Sequence, residues 1–239
     1  MQGRIKFEQP ARVRFYSEGS DWSPGGSVSD LLNRHKEFEE VFTPSTADLI
    51  VFNGGADIAT SIYGEKPVMR NIPLEPSRRD QREMDLFDEA VDRGLFILGI
   101  CRGAQLLNCL NGGSLWQHVD GHHSNHDMFE IKTGRIIYTT STHHQQMRPG
   151  KDAEIVCIAN ESTIKQRDGE KKAIVKHTDR ASGDDMEVIF YPKTRTLCIQ
   201  GHPEYVPSSD FAKWSIDLIL EKYQYSRQSA GEAPQTQSA

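Results

Sequence analysis

The sequence predicts a single α/β domain with a central, mainly parallel sheet flanked by helices. An apolar run at Leu95–Leu98 leads through a tight turn into a helical run at Ala104–Leu110. A second apolar run, Asp48–Asn53, is typical of a strand buried on both faces of a parallel sheet. Between them, Pro76–Arg93 has the periodicity of an amphipathic helix. Strands and helices that alternate in this way form doubly wound α/β domains.

The elements of the N-terminal part follow in chain order. Arg12–Tyr16 is predicted as the first strand, and Val28–Phe42 is predicted to contain a short helix. The strand at Asp48–Asn53 ends in a glycine-rich turn, because Gly54 and Gly55 follow it directly. These features predict a βαβ arrangement at the start of the sheet.

The helix at Pro76–Arg93 is predicted to be amphipathic. Its charged residues Arg78, Arg79 and Asp80 precede the apolar face, and Gly94 is expected to end it as a C-cap glycine. We expect one face to be apolar and to pack on the sheet, comprising Met84, Phe87, Ala90 and Val91.

The pattern changes to short strands after about residue 128. Six are predicted, at 128–132, 135–139, 153–159, 173–177, 187–191 and 196–200. A last helix is predicted at about Ser208–Tyr223. Residues 226–239 are rich in Gln, Ser and Ala and are predicted to be a disordered tail. The folded domain is therefore predicted to comprise residues 1–225.

Composition argues against several classes of protein. The chain has 239 residues, of which 36% are hydrophobic, and it contains no apolar run long enough to span a membrane. Its net charge is −6 and it has no basic stripe, so we expect neither a nucleic-acid nor a membrane partner. Four cysteines without tight spacing argue against a disulfide framework or a zinc knuckle. The N-terminus shows no secretory pattern, which predicts a cytoplasmic, reducing location.

A cysteine lies at the turn between the strand and helix near residue 100. The segment Gly99–Gly103 has the pattern Gly-x-Cys-x-Gly, the thiol version of a nucleophile elbow. Glycines at both ends let the strand and the helix approach closely. A thiolate at Cys101 would lie at a helix N-terminus, where the dipole and the backbone N–H groups favour negative charge. The pattern predicts Cys101 as a nucleophile.

A second motif, His202-Pro203-Glu204, supplies the groups that such a nucleophile needs. Pro203 favours an extended conformation at His202, so Glu204 could orient the imidazole and complete a Cys-His-Glu triad. Taken alone, a cysteine in an apolar stretch is usually a buried small side chain, as we expect for Cys109, Cys157 and Cys198. A lone His-Pro-Glu is also a common surface tripeptide. The two motifs together favour catalysis.

Histidines offer a competing interpretation. Six of the nine lie between residues 118 and 144, and two pairs have the i,i+4 spacing of helical metal ligands: His118 with His122, and His122 with His126. Gly121, Ser124 and Asn125 make a helix there unfavourable, and no carboxylate has a zincin-like position. We therefore predict a polar loop that rims the pocket, and no metal site.

Several motifs between about residues 48 and 220 match a pattern shared by known proteins. They are the elbow Gly99–Leu107, the segment Ile199–Glu204, and the stretches Gly54–Ile58, Tyr63–Glu65, Arg79-Asp80 with Glu83, Asn111–Gln117 and Ser141–Gln145. With these motifs the chain resembles the class I glutamine amidotransferase-like family. The arginine after the cysteine resembles, more narrowly, the gamma-glutamyl hydrolase branch of that family.

The resemblance implies a role for each site residue. Cys101 would attack a gamma-glutamyl amide carbonyl, and the backbone N–H groups of Arg102 and of Gly54 or Gly55 would hold the oxyanion. Gln105 would contact the glutamyl group, and the backbone around Thr142 and His143 would hold its amino-acid end. Read alone, Gln105 could instead be an ordinary buried amide, and Asp57 a turn-capping residue. No metal or organic cofactor is implied.

Three functions follow from these expectations. The first is a stand-alone hydrolase that acts on a small gamma-glutamyl substrate, and Arg102 favours it. The second is a glutaminase subunit that passes ammonia from glutamine to a separate synthetase or ligase. The third is a catalytically silent binding module, which the intact Cys101, His202 and Glu204 set argues against. Fold alone does not decide among them.

Overall fold

The computed structural model describes residues 12–19, 26–173, 185–229 and 231, which fold around one large β-sheet. The helices are α1 (Val28–Asn33), α2 (Arg78–Asp92), α3 (Arg102–Leu110) and α4 (Asp210–Ser229). The described strands are β1 (Val13–Glu18), β2 (Phe38–Glu40), β3 (Leu49–Phe52), β4 (Phe96–Ile100), β5 (Ser114–Trp116), β6 (His118–Val119), β7 (His126–Glu130), β8 (Ile136–Thr139), β9 (Gln146–Arg148), β10 (Glu154–Ala159), β11 (Ile164–Arg167), β12 (Glu170–Ala173), β13 (Asp185–Tyr191) and β14 (Thr196–Ile199). None of the helices within these ranges has both the length and the apolar character needed to cross a membrane.

The central part of the large sheet is parallel and has the strand order β2-β1-β3-β4-β14. This is the 2-1-3-4-5 order of a flavodoxin-like fold. Every residue of β3, β4 and β14 is buried, because helices cover both faces of these strands. The predicted single α/β domain with a mainly parallel central sheet is confirmed.

An antiparallel extension continues the sheet beyond β14, through β13, β10, β7 and β8. Five of the six short strands predicted from the sequence correspond to these strands and to β14. The strand predicted at 173–177 lies almost entirely outside the described residues. The sequence did not reveal β2, β5, β6, β9, β11 and β12, which have two to four residues and are too short to show an alternating pattern.

Helices pack on both faces of the sheet. On one face, α1 and α4 bury Leu31, Leu32 and Phe211 against the strands. On the other face, α2 and α3 bury Phe87 and Leu107. The last helix continues through Ser229, so the predicted boundary at residue 225 is four residues too early and residues 226–229 belong to the helix. The remainder of the predicted tail, except residue 231, lies outside the described residues.

Helix α2 begins and ends as its sequence predicts, but its buried face is not purely apolar. Ser77 and Asp80 form a capping box, and Gly94 follows the helix with a φ of +65°. Phe87 and Ala90 are buried, whereas the expected Met84 and Val91 are only half-buried. Their places on the buried face are taken by Leu86 and by two carboxylates, Asp80 and Glu83. Those carboxylates have a partner on α3, described below.

Two glycines allow α3 to lie directly against the strands. A Cβ atom on Gly99 would lie 2.6 Å from the backbone nitrogen of Ala104, and one on Gly103 would lie 2.1 Å from the carbonyl oxygen of Phe52. Real Cβ atoms do not approach backbone this closely, so both positions require glycine. The expected close approach of strand and helix at the elbow is therefore present.

We predict that Gly103→Ala will lower the free energy of unfolding by about 3 kcal/mol, the upper part of the range for overpacked sites. Urea denaturation followed by circular dichroism measures this. Gly134→Ala is the control, because Gly134 has a φ of +73° and a Cβ atom there would lie 4.0 Å from the Phe129 ring, in ordinary contact. That change should cost only the left-handed backbone penalty, about 1–2 kcal/mol. An equal or smaller loss for Gly103→Ala would show that the contact with β3 is not tight.

Candidate active site

Cys101 occupies a strained turn between β4 and α3. Its φ of 51° and ψ of −109° are unusual for a residue with a side chain. Strain of this kind concentrates at functional sites, where the surrounding structure holds it in place. The residue lies at the N-cap of α3, directly before Arg102, and it is 9% exposed. The geometry is that of a nucleophile elbow with a cysteine at its apex.

His202 lies beside this cysteine in the loop that follows β14. Its backbone N–H donates to the Thr140 carbonyl over 2.9 Å, and its Nδ1 lies 2.7 Å from Glu204 Oε1. The Tyr205 ring stacks on the imidazole, with ring centroids 4.2 Å apart. Both His202 and Glu204 are buried. The orientation of the imidazole is therefore fixed by Glu204 at Nδ1 and by Tyr205 on one face of the ring.

The charge of this imidazole depends on its partners. Burial alone would lower the pKa of His202, but hydrogen bonds to Cys101 and Glu204 raise it to about 11. His202 is therefore protonated at neutral pH, next to the sulfur. The other three cysteines, Cys109, Cys157 and Cys198, are buried, and burial raises the pKa of each thiol. Of the four thiols, only Cys101 has an imidazolium partner within the described residues.

A small cavity opens at the elbow. Its volume is about 220 Å³, and its lining residues are Gly55, Asp57, Cys101, Gln105, Thr142, His143, His144, Gln145, His202 and Tyr205. It therefore contains most of the site residues predicted from the sequence. Glu204 lies behind His202, and Gly54 and the Arg102 side chain lie outside the lining. A cavity of this size is smaller than a typical drug-sized pocket and suits one amino-acid side chain.

The glycine-rich turn after β3 forms one edge of this cavity. Gly55 has a φ of +141°, and a Cβ atom there would lie 2.4 Å from Nη1 of Arg79. The same guanidinium donates to the carbonyl oxygens of Asn53 and Gly54, over 3.0 and 2.9 Å. Arg79 therefore holds the turn by donating to two of the carbonyl oxygens of the turn.

The side chain of Arg102 points away from the cavity and is buried. It forms ion pairs with Asp80 and Glu83 of α2, and its Nε donates to the Ala56 carbonyl over 3.0 Å. Glu83 also pairs with Arg79 over 2.8 Å. Arg102 thus ties the residue after the nucleophile to α2 and to the glycine-rich turn. Its predicted contribution to an oxyanion hole would come from the backbone N–H, which lies in the first turn of α3.

The remaining predicted contacts differ in their surroundings. The Gln105 amide is buried and donates to the Gln145 carbonyl over 3.2 Å, and it lies 3.4 Å from Gln200 Oε1. Thr142 is exposed, and its hydroxyl lies 3.5 Å from the Tyr205 hydroxyl. The ring of His143 is turned inward, since its Nδ1 lies 2.9 Å from the Gln145 carbonyl oxygen. The side chain of His143 is therefore directed into the protein.

Sequence reasoning missed two features of the cavity. Tyr205 packs on His202, although it directly follows the His-Pro-Glu motif and could have been included. Asp57, interpreted from sequence as a turn-capping residue, lines the cavity and lies 3.1 Å from His144 Nε2. This hydrogen bond raises the pKa of His144. No local pattern joins residues 57 and 144, so only the fold brings them together.

The histidine-rich segment, predicted as a polar loop, forms a loop at 120–125 between the short strand β6 and β7. His118 lies in β6 and is half-buried, whereas His122 and His126 are fully buried. Of the four histidines between residues 118 and 126, only His123 is exposed. His118, His122 and His126 do not lie in a helix, so their i,i+4 spacing does not place them on one helix face. His122 and His126 instead pack around His143, with ring centroids 4.6 and 6.3 Å away.

Comparison with known proteins supports the same class of protein. Residues 35–204 match the profile of the peptidase C26 family. A putative glutamine amidotransferase of Mycobacterium tuberculosis is 30% identical over 65% of this chain and 50% of its own length. The carbamoyl phosphate synthase small chain of Streptococcus mutans serotype c is 31% identical over 72% of this chain and 42% of its own length. The chain thus spans about half the length of these curated relatives.

A solved structure extends the comparison to the fold. A glutamine amidotransferase from Thermotoga maritima superposes with a TM-score of 0.53, covering 94% of this chain and 87% of its own, at 15% identity. The fold and the elbow thus define a protein of the class I glutamine amidotransferase-like group. Within that group, the chain belongs to the peptidase C26 family.

We predict that Arg102→Met will lower the free energy of unfolding by about 3–5 kcal/mol, because the buried Asp80 loses its cation and the buried Glu83 keeps only Arg79. Chemical denaturation measures the change. Lys193→Met is the control, since the Lys193–Asp152 pair is exposed and should contribute less than about 1 kcal/mol. Similar losses in the two variants would contradict the structural role assigned to Arg102.

We also predict that Cys101→Ala will lower the pKa of His202 from its value of about 11, because one of the two hydrogen bonds that raise it is lost. Imidazole ¹⁵N chemical shifts recorded against pH measure this, with Cys109→Ala as the control. In the native protein the raised pKa stabilises the fold fully below the unfolded-state pKa of about 6.5. That stabilisation is lost as the pH rises through about 11. An unchanged His202 titration would show that the sulfur and the imidazole do not interact.

Proposed function

We propose that this protein is a stand-alone cysteine hydrolase that cleaves gamma-glutamyl amide bonds through Cys101, His202 and Glu204. The observation that carries the proposal is the strained elbow, which places Cys101 beside an imidazole held by Glu204. Family membership supports an enzyme that acts on an amide bond. The gamma-glutamyl specificity is our inference from the cavity and from the motifs.

In the first half of the reaction, Cys101 Sγ attacks the gamma-carbonyl carbon of the bound substrate. Negative charge develops on the carbonyl oxygen, which accepts hydrogen bonds from the backbone N–H groups of Arg102 and Gly55 or Gly54. Donors of this kind contribute about 3 kcal/mol each to the transition state. His202 then gives its proton to the leaving nitrogen as the C–N bond breaks, and a gamma-glutamyl thioester remains.

In the second half, water attacks the thioester carbonyl. His202, now neutral, accepts a proton from this water and returns to the imidazolium form. The C–S bond breaks, glutamate leaves and the Cys101 thiolate is restored. Glu204 holds the ring through Nδ1 in both halves, which keeps Nε2 directed at the reacting atoms.

The cavity supports a glutamyl group as the acyl part of the substrate. Gln105, Thr142 and His143 all line it, and the Gln105 side chain and the backbone around Thr142 and His143 would hold the polar groups of the amino acid. Asp57 adds a carboxylate to the same wall, which suits the glutamyl α-ammonium group.

A second cavity supports a substituted amide rather than free glutamine. It has a volume of about 520 Å³ and shares Asp57 with the first cavity. Its other lining residues are Ala56, Asn71, Pro73, Ser77, Arg79, Asp80 and Arg102. Ammonia needs no such space as a leaving group, whereas the amine portion of a conjugate does.

The second candidate function is a glutaminase that delivers ammonia to a separate synthetase. The observation that favours it is the similarity to the carbamoyl phosphate synthase small chain. A glutaminase of this kind would turn over slowly alone, because its partner completes the site. The third candidate, a silent binding module, is disfavoured by the intact Cys101, His202 and Glu204 arrangement.

Amine release by the purified chain distinguishes these functions. We expect turnover of gamma-glutamyl-gamma-aminobutyrate and of a gamma-glutamyl anilide, in preference to glutamine. Cys101→Ala should abolish turnover without changing the circular dichroism spectrum, and Cys109→Ala should retain it. Activity that survives in Cys101→Ala would refute the nucleophile assignment. Labelling of Cys101 by a glutamine-mimicking electrophile, without turnover of any conjugate, would support the glutaminase instead.

A further inference from the structure

Behind the wall of the small cavity lies a buried cluster of three histidines and one carboxylate. His122, His126, His143 and Glu187 are exposed by 0%, 5%, 3% and 1%, respectively. They come from four places in the chain: the segment before β7, the start of β7, the segment before β9 and strand β13. The proposed hydrolysis uses none of these side chains as a reacting group.

The spacing within this histidine–glutamate cluster is that of ligands around a metal ion. His122 Nδ1 and His126 Nε2 lie 3.4 and 3.5 Å from Glu187 Oε1, and His143 Nε2 lies 3.9 Å from Glu187 Oε2. One ligand atom each from His122, His143 and Glu187 falls within 4.8 Å of the others. Ligands bonded to zinc at about 2.0–2.2 Å in a tetrahedron are separated by about 3.4 Å. The distances of 3.4, 3.5 and 3.9 Å from the imidazole nitrogens to Glu187 are longer than good hydrogen bonds, so hydrogen bonding does not account for the arrangement.

The atoms that face one another in the cluster lack hydrogen-bond partners. They are His122 Nδ1, His126 Nε2, His143 Nε2 and Glu187 Oε2. A buried polar atom without a partner is rare and costly, and four such atoms in one cluster require an explanation. A cation among His122, His143 and Glu187 would satisfy those three side chains together, and His126 Nε2 lies 3.5 Å from Glu187 Oε1, close enough to provide a fourth ligand.

The opposite nitrogen of two of the three imidazoles is already oriented by a hydrogen bond, and that of the third lies near a carboxylate. His126 Nδ1 lies 3.1 Å from the Ser124 carbonyl oxygen, and His143 Nδ1 lies 2.9 Å from that of Gln145. His122 Nε2 lies 3.1 Å from Asp185 Oδ2. Histidines that bind metals almost always direct their other nitrogen to a carbonyl or carboxylate in this way.

The charges in the cluster also favour a cation. Lys165 Nζ lies 2.6 Å from Asp185 Oδ1, so a buried lysine balances that carboxylate. Glu187 faces the three imidazoles and the Gln146 amide, which is 3.4 Å away. The His122 and His143 rings stack with centroids 4.6 Å apart, so both imidazoles lie beside Glu187 as neighbours. One divalent ion bound between the imidazoles and Glu187 would balance the charge of that carboxylate.

We propose that His122, His126, His143 and Glu187 bind one divalent transition-metal ion, with zinc as the best match for three imidazoles and a carboxylate. The closed, buried ligand set indicates a structural site rather than a catalytic one. Because His143 also contributes to the cavity lining, the ion would fix the substrate-binding segment from behind. The inference is independent of the proposed hydrolase activity.

Metal content and cobalt spectroscopy test this proposal without an activity assay. The purified chain is treated with a chelator, dialysed, and then titrated with Zn²⁺ or Co²⁺. We expect one equivalent of tightly held metal, visible d–d absorption from tetrahedral Co²⁺, and a rise in Tm on reloading. Glu187→Gln should weaken metal binding by more than about 100-fold, beyond the 10–100-fold effect of losing an outer partner.

The control variant is His123→Gln, because His123 is exposed and follows His122 directly. It should bind metal and shift Tm as the native chain does. His126→Asn provides a second ligand variant if Glu187→Gln does not fold. The proposal is overturned if the native chain takes up no metal, or if cobalt binds without tetrahedral absorption. It also fails if the folded ligand variants bind as tightly as the control.

Discussion

The close approach of α3 to β3 and β4 is the constraint on which the site depends. Gly99 and Gly103 leave no space for a side chain, so the first turn of α3 lies against the backbone of the strands. That contact forces Cys101 into its strained conformation at the edge of the sheet. The loop after β14, the strand that pairs with β4, then brings His202 beside the sulfur.

A second constraint holds this arrangement from the side. The buried side chain of Arg102 joins α2 to the elbow, while Arg79 joins α2 to the glycine-rich turn. Helix α2 therefore holds both edges of the cavity in position, the elbow and the glycine-rich turn. A buried charge network of this kind adds little net stability compared with apolar packing, but it strongly penalises any displacement of one partner. Such a network suits a site where position matters more than stability.

The sequence was informative where a function depends on neighbouring residues. The elbow around Cys101 and the tripeptide at His202 are local patterns, and the buried parallel strands show as apolar runs. Contacts between distant residues could not be foreseen. Asp80 and Glu83 gave no indication of a partner at residue 102, and Glu187 none of a partner at residue 143. The histidines at 122 and 126 were noticed for a helical spacing that the fold does not use, because strands and loops form there instead.

His143 has a consequence for how mutational data on this protein would be interpreted. Its ring belongs to the buried cluster around Glu187, while its chain position places it in the wall beside Cys101. A saturation screen scored by the proposed hydrolase activity would rank His143 with Cys101 and His202. The reasons would differ, since substitution at 143 would disturb the buried cluster behind the wall and substitution at 101 would remove the proposed nucleophile. A screen of this kind alone would therefore assign too many residues to the reaction itself.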